Sequence, residues 1–280
     1  MSEPKEIAVS GALPDPWSPL SAVTPARIAL GRAGGSLPTA PLLDFQLAHA
    51  RARDAVHTEF HPEEVCRRLQ EGGFETLRVR SRAAGDRKTY LQRPDLGRRL
   101  DDESREELER FPGRGSFDLL LVVGDGLSAP AAERHTPPVM AMVREELERG
   151  GWKIAPVVVA EGARVALADE IGQILGAAQV AILLGERPGL SSPHSLGIYL
   201  TFAPKIGRSD AERNCISNVR PEGLGYREAA RKLVHLVRAA RNAGGTGVAL
   251  KDDSDILSLE TAPGDGEAGA AGQGGAREGV

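Results

Sequence analysis

The 280-residue sequence has few cysteines and few aromatic residues. Its two cysteines, Cys66 and Cys215, lie far apart, which excludes a disulfide framework and a CxxC metal site and favours a reducing compartment. Aromatic residues make up 4% of the chain, leaving little for a surface that stacks nucleic-acid bases. The formal net charge of -4 gives no long-range attraction to phosphate polymers or anionic membranes. We therefore predict that neither nucleic acid nor a membrane is a partner.

The sequence also lacks the apolar segments that target or anchor a protein. Its first 17 residues show no charged stretch followed by an apolar core, so they do not resemble a secretory signal. No apolar run approaches the ~20 residues that span a bilayer. With 41% hydrophobic and 26% charged residues, the composition is typical of a globular protein of one or two domains. We expect a soluble, cytoplasmic protein.

Helical patterns predominate in the first third of the chain. Residues 1–40 are rich in Pro, Gly and Ala and predict an irregular N-terminal arm that orders against a partner. From Leu42 to His57, apolar residues recur on one helical stripe. In HPEEVCRRLQEGG, at 61–73, Pro62 suits a first helical turn and the glycine pair ends the helix. Residues 41–115 are therefore predicted to form a mainly helical N-terminal region.

A strand–helix alternation begins near Ser116. Continuous apolar runs indicate buried strands at 117–123, 153–160 and 179–184. A loop followed by a helix separates the first two runs, and a helix at 164–177 separates the second and third. This alternation predicts an α/β fold built on a parallel sheet, with right-handed crossovers that place helices on both faces.

The last third completes this predicted domain and then changes composition. We expect a fourth strand at 198–203, an amphipathic helix at 226–245 and a closing edge strand at 247–251. Residues 116–251 are thus predicted to form a Rossmann-like domain. The acidic, Gly- and Ala-rich segment 252–280 cannot bury enough apolar surface to offset the entropy of ordering, so we expect a disordered tail.

Three loops of unusual composition follow the predicted parallel strands. They are GDGLSA (124–129), AEGARV (160–165) and GERPGLSSPHSLG (185–197). The carboxyl ends of parallel strands meet at one edge of a sheet, and open α/β sheets bind ligands there. We therefore expect the three loops to share one site.

The first loop has the glycines of a dinucleotide-binding motif. Gly124 and Gly126 would form a tight turn, and Ala129 stands where a third glycine falls. No acidic residue is placed to clamp a ribose, however, and the helix opens late, after Pro130. A plain strand-to-helix turn is favoured over nicotinamide binding.

The third loop contains His194, three residues before Gly197, which is similar to the D-x-H-x-x-G element that supplies an axial histidine in some cobalamin proteins. Ser192 stands where an aspartate should orient the imidazole, so a loop role is favoured over a metal-ligand role. The other histidines show no metal-ligand spacing, and we predict no metal site.

Polar residues at the strand ends favour ligand binding over catalysis. Glu186 forms either a surface ion pair with Arg187 or a contact with a ligand. Cys215 is interpreted as a small buried apolar residue and not as a nucleophile, since no His/Asp set accompanies it. Neutral hydrogen-bonding groups surround it, suited to a ligand rich in amides: Asn214, Ser217 and Asn218. The pattern favours a subunit that holds a cofactor.

Four sequence blocks, in this order and spacing, closely resemble the small (light) subunit of ethanolamine ammonia-lyase. The blocks are RPDLGRRL (93–100), DGLSA (125–129), GERPGLSSPHSLGIYLTF (185–202) and RNCISNVR (213–220). The resemblance covers about residues 20–251, and the GERPGL and CISN motifs make chance similarity improbable.

This resemblance implies an adenosylcobalamin-dependent lyase that converts ethanolamine to acetaldehyde and ammonia by radical chemistry. A large TIM-barrel subunit would carry the substrate site, and the small subunit would cover cobalamin at the interface of a hetero-oligomer. Its location would be the cytoplasm, either free or inside a bacterial microcompartment.

The resemblance also implies which residues touch the cofactor. The small subunit's cobalamin contacts fall on Val165 in GARV, Glu186 in GERPGL and Cys215 in NCISN, with no catalytic residue in this chain. The family keeps dimethylbenzimidazole on cobalt (base-on), in agreement with the missing D-x-H-x-x-G element. At position 194 the family more usually carries an acidic residue, so His194 is a departure.

Two other interpretations stay open at this point. A nicotinamide-dependent oxidoreductase would need an acidic ribose partner and its own catalytic residues. A non-catalytic scaffold subunit would need neither.

Overall fold

The structure, a computed structural model, describes residues 12–13 and 15–254 of the chain. Our expectations for the start of the arm and for 255–280 of the tail lie outside the described residues. The strands are β1 (Ala12–Leu13), β2 (Arg32–Ala33), β3 (Thr76–Arg80), β4 (Leu120–Gly124), β5 (Val157–Glu161), β6 (Gln179–Gly185), β7 (Leu196–Phe202) and β8 (Arg213–Val219). The helices are α1 (Thr39–His57), α2 (Pro62–Glu71), α3 (Arg87–Gln92), α4 (Asp102–Arg110), α5 (Ala129–Glu148), α6 (Leu167–Leu175) and α7 (Tyr226–Ala243).

A six-stranded, mostly parallel sheet organises the chain, in the order β3-β5-β4-β6-β7-β8. Strands β3, β5, β4 and β6 run parallel to one another, which confirms the parallel sheet predicted from the apolar runs. β7 instead pairs antiparallel with β6, because a loop without a crossover helix connects them. β8 pairs antiparallel with β7 and forms one edge. The fold is therefore mixed α/β.

Helices cover both faces of the sheet, as the crossovers predict. One apolar cluster lies under α2, α5 and α7, and the other lies under α4 and α6. β4 and β6 are buried along their whole length, which explains why their sequences are continuous apolar runs with no alternation. The second cluster, on the α6 face, continues to the strands that carry the candidate site.

The sheet crosses the predicted boundary at residue 115. β3 belongs to the region that we expected to be mainly helical, yet it pairs with β5 in parallel as the other edge strand. Residues 41–115 thus contain four helices and one strand of the sheet.

The C-terminal expectations also need correction. The segment 247–251 is not a strand, and Gly247 adopts a φ of 90°, with Val248 N–H donating to the Ala211 carbonyl at 3.0 Å. Ser254, which we assigned to the tail, is fully buried beside α7. Its carbonyl accepts a hydrogen bond of 2.7 Å from Arg231.

α5 begins earlier than the sequence indicates and continues through Pro137 and Pro138. Proline inside a helix costs about 3 kcal/mol because it removes an N–H and crowds the preceding turn. Arg68 of α2 donates a hydrogen bond of 2.7 Å to the Glu133 carbonyl, which the missing N–H of Pro137 leaves unpaired within the helix. Two features offset the proline penalty. The helix is buried at positions such as Val139, and Arg68 supplies a donor from a second helix.

Candidate functional site

The three loops that follow β4, β5 and β6 meet at one edge of the sheet, as predicted. The Asp125 carboxylate accepts a hydrogen bond of 2.9 Å from the Ala163 N–H, which joins the first loop to the second. The Leu127 N–H donates to the Gly185 carbonyl at 2.8 Å, which joins the first loop to the third. The strand ends therefore form one continuous surface.

The glycines of GDGLSA serve close packing between two loops. Gly126 has a φ of +56°, and a Cβ there would lie 2.2 Å from the Gly185 carbonyl oxygen. A Cβ on Gly185 would lie 2.1 Å from the Ser128 carbonyl oxygen. Ser128 and Ala129, at the start of α5, are at most 1% exposed, so no diphosphate reaches that helix end. The plain strand-to-helix turn accounts for this motif.

Glu186 is held at the open edge by two neutral donors. The Ser195 hydroxyl donates a hydrogen bond of 2.6 Å to Glu186 Oε2, and the Asn218 N–H lies 3.2 Å from the same oxygen. Within the described residues no cation lies within ion-pairing distance of this carboxylate, so the alternative of a surface ion pair with Arg187 is not formed. The half-buried carboxylate keeps lone pairs free for a ligand.

Tyr199 and Cys215 lie next to Glu186. They are direct partners across β7 and β8, so their side chains point to the same face of the sheet. Glu186 continues the alternation of Ile182 and Leu184 toward that face. Burial raises the pKa of the Tyr199 hydroxyl, and the nearby Cys215 and Glu186 raise it further. The Tyr199 hydroxyl and the Cys215 thiol are therefore both neutral at pH 7.

Cys215 is exposed, which corrects the expectation of a buried apolar residue. Crowding of its sulfur by neighbouring groups raises the pKa of the thiol, the hydrogen bond with Tyr199 lowers it, and Glu186 raises it. The net shift is upward, so the thiol stays protonated and is a poor nucleophile. The geometry suits contact with a ligand.

Val165 lies in the turn between β5 and α6, on the same side of the sheet. It is half-buried and packs against the apolar cluster that Tyr199 also contacts. Val165, Glu186 and Cys215 thus come from three separate elements and face one side of the carboxyl edge. On that side the three residues present an aliphatic, a carboxylate and a thiol group.

The neutral cluster predicted around Cys215 divides in two. The Asn214 side chain accepts a hydrogen bond of 2.9 Å from the Gly247 N–H and donates one of 2.8 Å to the Leu250 carbonyl, so it anchors the C-terminal loop. Asn218 contributes its backbone N–H to Glu186 and has a φ of 57°. Ser217 is exposed and shares the face of Cys215. Of the three residues, only Asn218 and Ser217 therefore lie at the candidate site.

The sequence motifs do not indicate two side chains of the candidate site, Ser195 and Tyr199. Strand alternation could have placed Tyr199 on the face of Cys215 once the register was known. No spacing rule indicates that Ser195, nine residues after Glu186, folds back onto it.

The side chain of His194 lies away from Glu186. It lines a shallow cleft with Arg134 and Arg220, and its backbone carbonyl accepts a hydrogen bond of 3.0 Å from His135. Burial and the nearby Arg134 lower the pKa of its imidazole. Across the part of the chain that the structure describes, no group of three or more His, Cys, Asp or Glu side chains is arranged to hold a metal ion.

A second cleft, of about 370 Å³, opens on the β3 side of the same sheet edge. Asp125 and Arg87 lie in its wall, with Arg87 Nη1 3.4 Å from Asp125 Oδ2. Burial raises the pKa of Asp125 to about 6, while the Ala163 N–H and Arg87 oppose this rise. Neither Val165, Glu186 nor Cys215 lines this cleft, so it is separate from the predicted contacts.

Comparison with known proteins identifies clear relatives. The family model described as ethanolamine ammonia-lyase light chain (EutC) matches residues 14–251. The ethanolamine ammonia-lyase small subunit of Pseudomonas syringae pv. tomato is 53% identical over 91% of this chain and 90% of its own length. The subunit of the same name from Azotobacter vinelandii is 54% identical over 90% of this chain and 94% of its own length. That from Ralstonia nicotianae is 53% identical, with coverages of 93% and 97%.

No helix among residues 12–13 and 15–254 combines the length and the apolar character needed to cross a membrane.

Proposed function

This chain belongs to the ethanolamine ammonia-lyase small-subunit family, and from that premise we propose that it forms one wall of an adenosylcobalamin site shared with the large subunit. As a member of that family it is part of an ammonia-lyase complex. With its large subunit, the complex converts ethanolamine to acetaldehyde and ammonia. The complex works in the cytoplasm, either free or inside a bacterial microcompartment.

Adenosylcobalamin, when bound, supplies the radical that abstracts hydrogen from ethanolamine, and the protein supplies position and shielding. In this chain those tasks fall to three contact residues. Val165 offers an aliphatic surface, Cys215 a neutral thiol, and Glu186 a carboxylate that accepts hydrogen bonds. None of them is assigned a proton transfer or a covalent bond to substrate.

The hydrogen-bonding state of Glu186 is the observation that carries this proposal. Its donors, the Ser195 hydroxyl and the Asn218 N–H, are both neutral, and each occupies only part of the carboxylate's accepting capacity. A corrin ring is fringed with amides whose N–H groups match the remaining lone pairs. The absence of Lys, Arg or His within ion-pairing distance, among the described residues, favours such a neutral ligand over a phosphate.

The base-on state of the cofactor is part of the proposal. His194 is the histidine in the loop nearest to the contacts, and its side chain lies in the cleft with Arg134 and Arg220, where Glu186 is not a neighbour. An imidazole in that position does not share the surface of Val165 and Cys215. This supports the retention of dimethylbenzimidazole on cobalt.

The contacts also support the domain division that we propose. Val165, Glu186 and Cys215 all lie within residues 116–251, in a unit whose strands and helices alternate as in Rossmann-like folds. The mainly helical region 41–115 adds the edge strand β3 to the same sheet and none of the three contacts.

A nicotinamide-dependent oxidoreductase is the less favoured alternative. Its diphosphate would sit at the start of α5, which is buried at Ser128 and Ala129 beneath the third loop. A scaffold subunit without a cofactor would leave the partly satisfied Glu186 carboxylate unexplained.

One experiment separates these functions. The purified chain is mixed with adenosylcobalamin, with and without the large subunit, while the cobalamin spectrum and ethanolamine turnover are followed. We expect turnover only when both subunits are present, because the proposal assigns the substrate site and its catalytic residues to the large subunit. Deamination by a preparation free of large subunit, or full activity of the large subunit alone, would contradict the proposal.

A further inference from the structure

Exposed apolar side chains are concentrated at one end of the chain. In the described residues, ten of the thirteen exposed large hydrophobic side chains lie between positions 13 and 47. They are Leu13, Trp17, Leu20, Val23, Ile28, Leu37, Leu42, Leu43, Phe45 and Leu47. Single exposed apolar residues are ordinary, but so many within one segment point to an interaction surface. We call residues 13–47 the apolar arm.

The first half of α1 carries the densest group of these exposed apolar side chains. All six residues from Leu42 to Leu47 are exposed, and four of them are large and apolar. Leu43 and Leu47 are 57% and 50% exposed and share one helix face at i and i+4. In the whole helix only Ala48 and Ala55 are buried, so the described residues leave the apolar side of α1 uncovered.

Among the described residues, the rest of the apolar arm also contains no buried side chain. β1 and β2 are two-residue strands, and the 3₁₀ turn Ser18–Ala22 contains no buried residue. From Asp15 to Leu47 the sequence has only four charged residues, Asp15, Arg27, Arg32 and Asp44. Depletion of charge is typical of the core of a protein–protein interface. Its many prolines restrict the backbone before binding and so lower the entropy lost on docking.

The position of the arm indicates which partner covers it. Arg27 donates a hydrogen bond of 3.4 Å to the Leu190 carbonyl, in the loop that begins with Glu186. A groove of about 290 Å³ lies between α1 and this loop, with Val56 on one wall and Pro188 on the other. The arm and the loop therefore form one continuous surface. A partner that covers a ligand held at Glu186 is therefore placed next to the arm.

We propose that the apolar arm docks on the large subunit of ethanolamine ammonia-lyase and extends the interface that closes the cobalamin site. This inference rests on the proposed function, because the arm adjoins the Glu186 loop and that function places Glu186 against the large subunit. A second copy of this chain and a lipid surface are the rival occupants, and each predicts a different pattern of binding and amide protection.

The test uses the full chain with Leu43→Asp and Leu47→Asp combined. Both side chains are exposed, so the variant should fold with an unchanged melting temperature. Val248→Asp is the matched control, since Val248 is 86% exposed and lies outside the arm. Affinity for the large subunit is measured by sedimentation or surface binding. We expect the arm variant to bind the large subunit at least about tenfold more weakly and the control to bind it as wild type does. This is the loss expected when side chains at the centre of an interface are replaced.

Hydrogen exchange gives a second readout that does not depend on substitution. Amides of residues 39–47 in the wild-type chain should gain protection when the large subunit is added, and not when the chain is concentrated alone or mixed with anionic vesicles. Equal affinity of arm variant and control, or protection produced by self-association or by vesicles, would overturn the inference.

The outcomes also separate this inference from the proposed function. If the wild-type chain binds the large subunit and supports turnover while the arm variant does both equally well, only the docking inference is wrong. If the wild-type chain neither binds the large subunit nor supports turnover, the proposed function fails and the inference fails with it.

Discussion

Arg213, the first residue of β8, binds Asp169 of α6 through two hydrogen bonds of 2.7 Å each, Nη1 to Oδ1 and Nη2 to Oδ2. Both side chains are at most 3% exposed. The guanidinium also donates to the Thr201 hydroxyl and to the Arg208 carbonyl, so its charge is well satisfied. This pair ties the antiparallel edge of the sheet to the helix that follows Val165, and it fixes the strand that carries Cys215.

Breaking this pair should destabilise the fold. Asp169→Asn removes the negative charge and leaves a buried guanidinium without its partner, which typically costs about 3–5 kcal/mol. Asp210→Asn is the control, because Asp210 also contacts Arg213 but is 95% exposed, and it should cost less than about 1 kcal/mol. Urea denaturation measures both free energies of unfolding. Similar values for the two variants would show that the bidentate pair does not anchor β8.

Asp125 should give the fold a characteristic pH dependence. Burial raises its pKa to about 6 in the folded chain from a usual value of 3.8. The folded state therefore holds this proton more tightly than the unfolded state does. The contribution of this group to stability is full below pH 3.8 and declines as pH rises to about 6, by about 3 kcal/mol in all.

Asp125→Asn tests this dependence, because it resembles the protonated side chain and still accepts from the Ala163 N–H. Other carboxyl groups titrate in the same range, so the informative quantity is the difference in unfolding free energy between wild type and variant at each pH. The variant should gain stability relative to wild type as the pH rises from 4 to 6, and the difference between them should stay constant at higher pH. Parallel stability curves would contradict the raised pKa.

The parts of the fold with strong apolar patterns were predictable from sequence, and the edges were not. β4, β5 and β6 are continuous apolar runs, and their parallel order puts the three loops together. β3 reads TLRVR, with Arg78 and Arg80 pointing outward and only Val79 buried, so its pattern is too short to distinguish from a loop. β8 carries Asn, Cys and Ser on exposed positions and is a strand because β7 pairs with it.

The candidate site shows the same limit. Motif resemblance predicts Val165, Glu186 and Cys215 as contacts one by one. Their arrangement depends on the β7–β8 register and on the loop that returns Ser195 to Glu186, neither of which a linear pattern encodes. Local propensity also failed at Pro137, where packing and the Arg68 hydrogen bond outweigh the cost of a proline inside a helix.

Cys215 should behave as an unactivated thiol that a ligand covers. Its raised pKa means that alkylation by iodoacetamide is slow at pH 7.5 and accelerates only as pH approaches and exceeds 9. Adenosylcobalamin with the large subunit should protect it. Cys66 is buried and serves as an internal control that stays unlabelled until the chain unfolds. Mass spectrometry follows both sites, and rapid labelling of Cys215 at neutral pH would show an activated thiolate instead.

We expect Glu186 to hold the cofactor and to take no part in the chemical step. Glu186→Gln preserves shape and removes charge, so charge-assisted hydrogen bonds worth ~1.5–3 kcal/mol are lost. Glu75→Gln, an exposed position just before β3 at the opposite sheet edge, is the matched control.

The most direct measurement is turnover against adenosylcobalamin concentration for the reconstituted complex carrying each variant. Glu186→Gln should require about tenfold to a hundredfold more cofactor for half-saturation, reach nearly the wild-type kcat, and differ from a Glu75→Gln complex that matches wild type. A Glu186→Gln complex that binds cofactor with unchanged affinity and yet shows no turnover at saturation would instead place Glu186 in the chemical step.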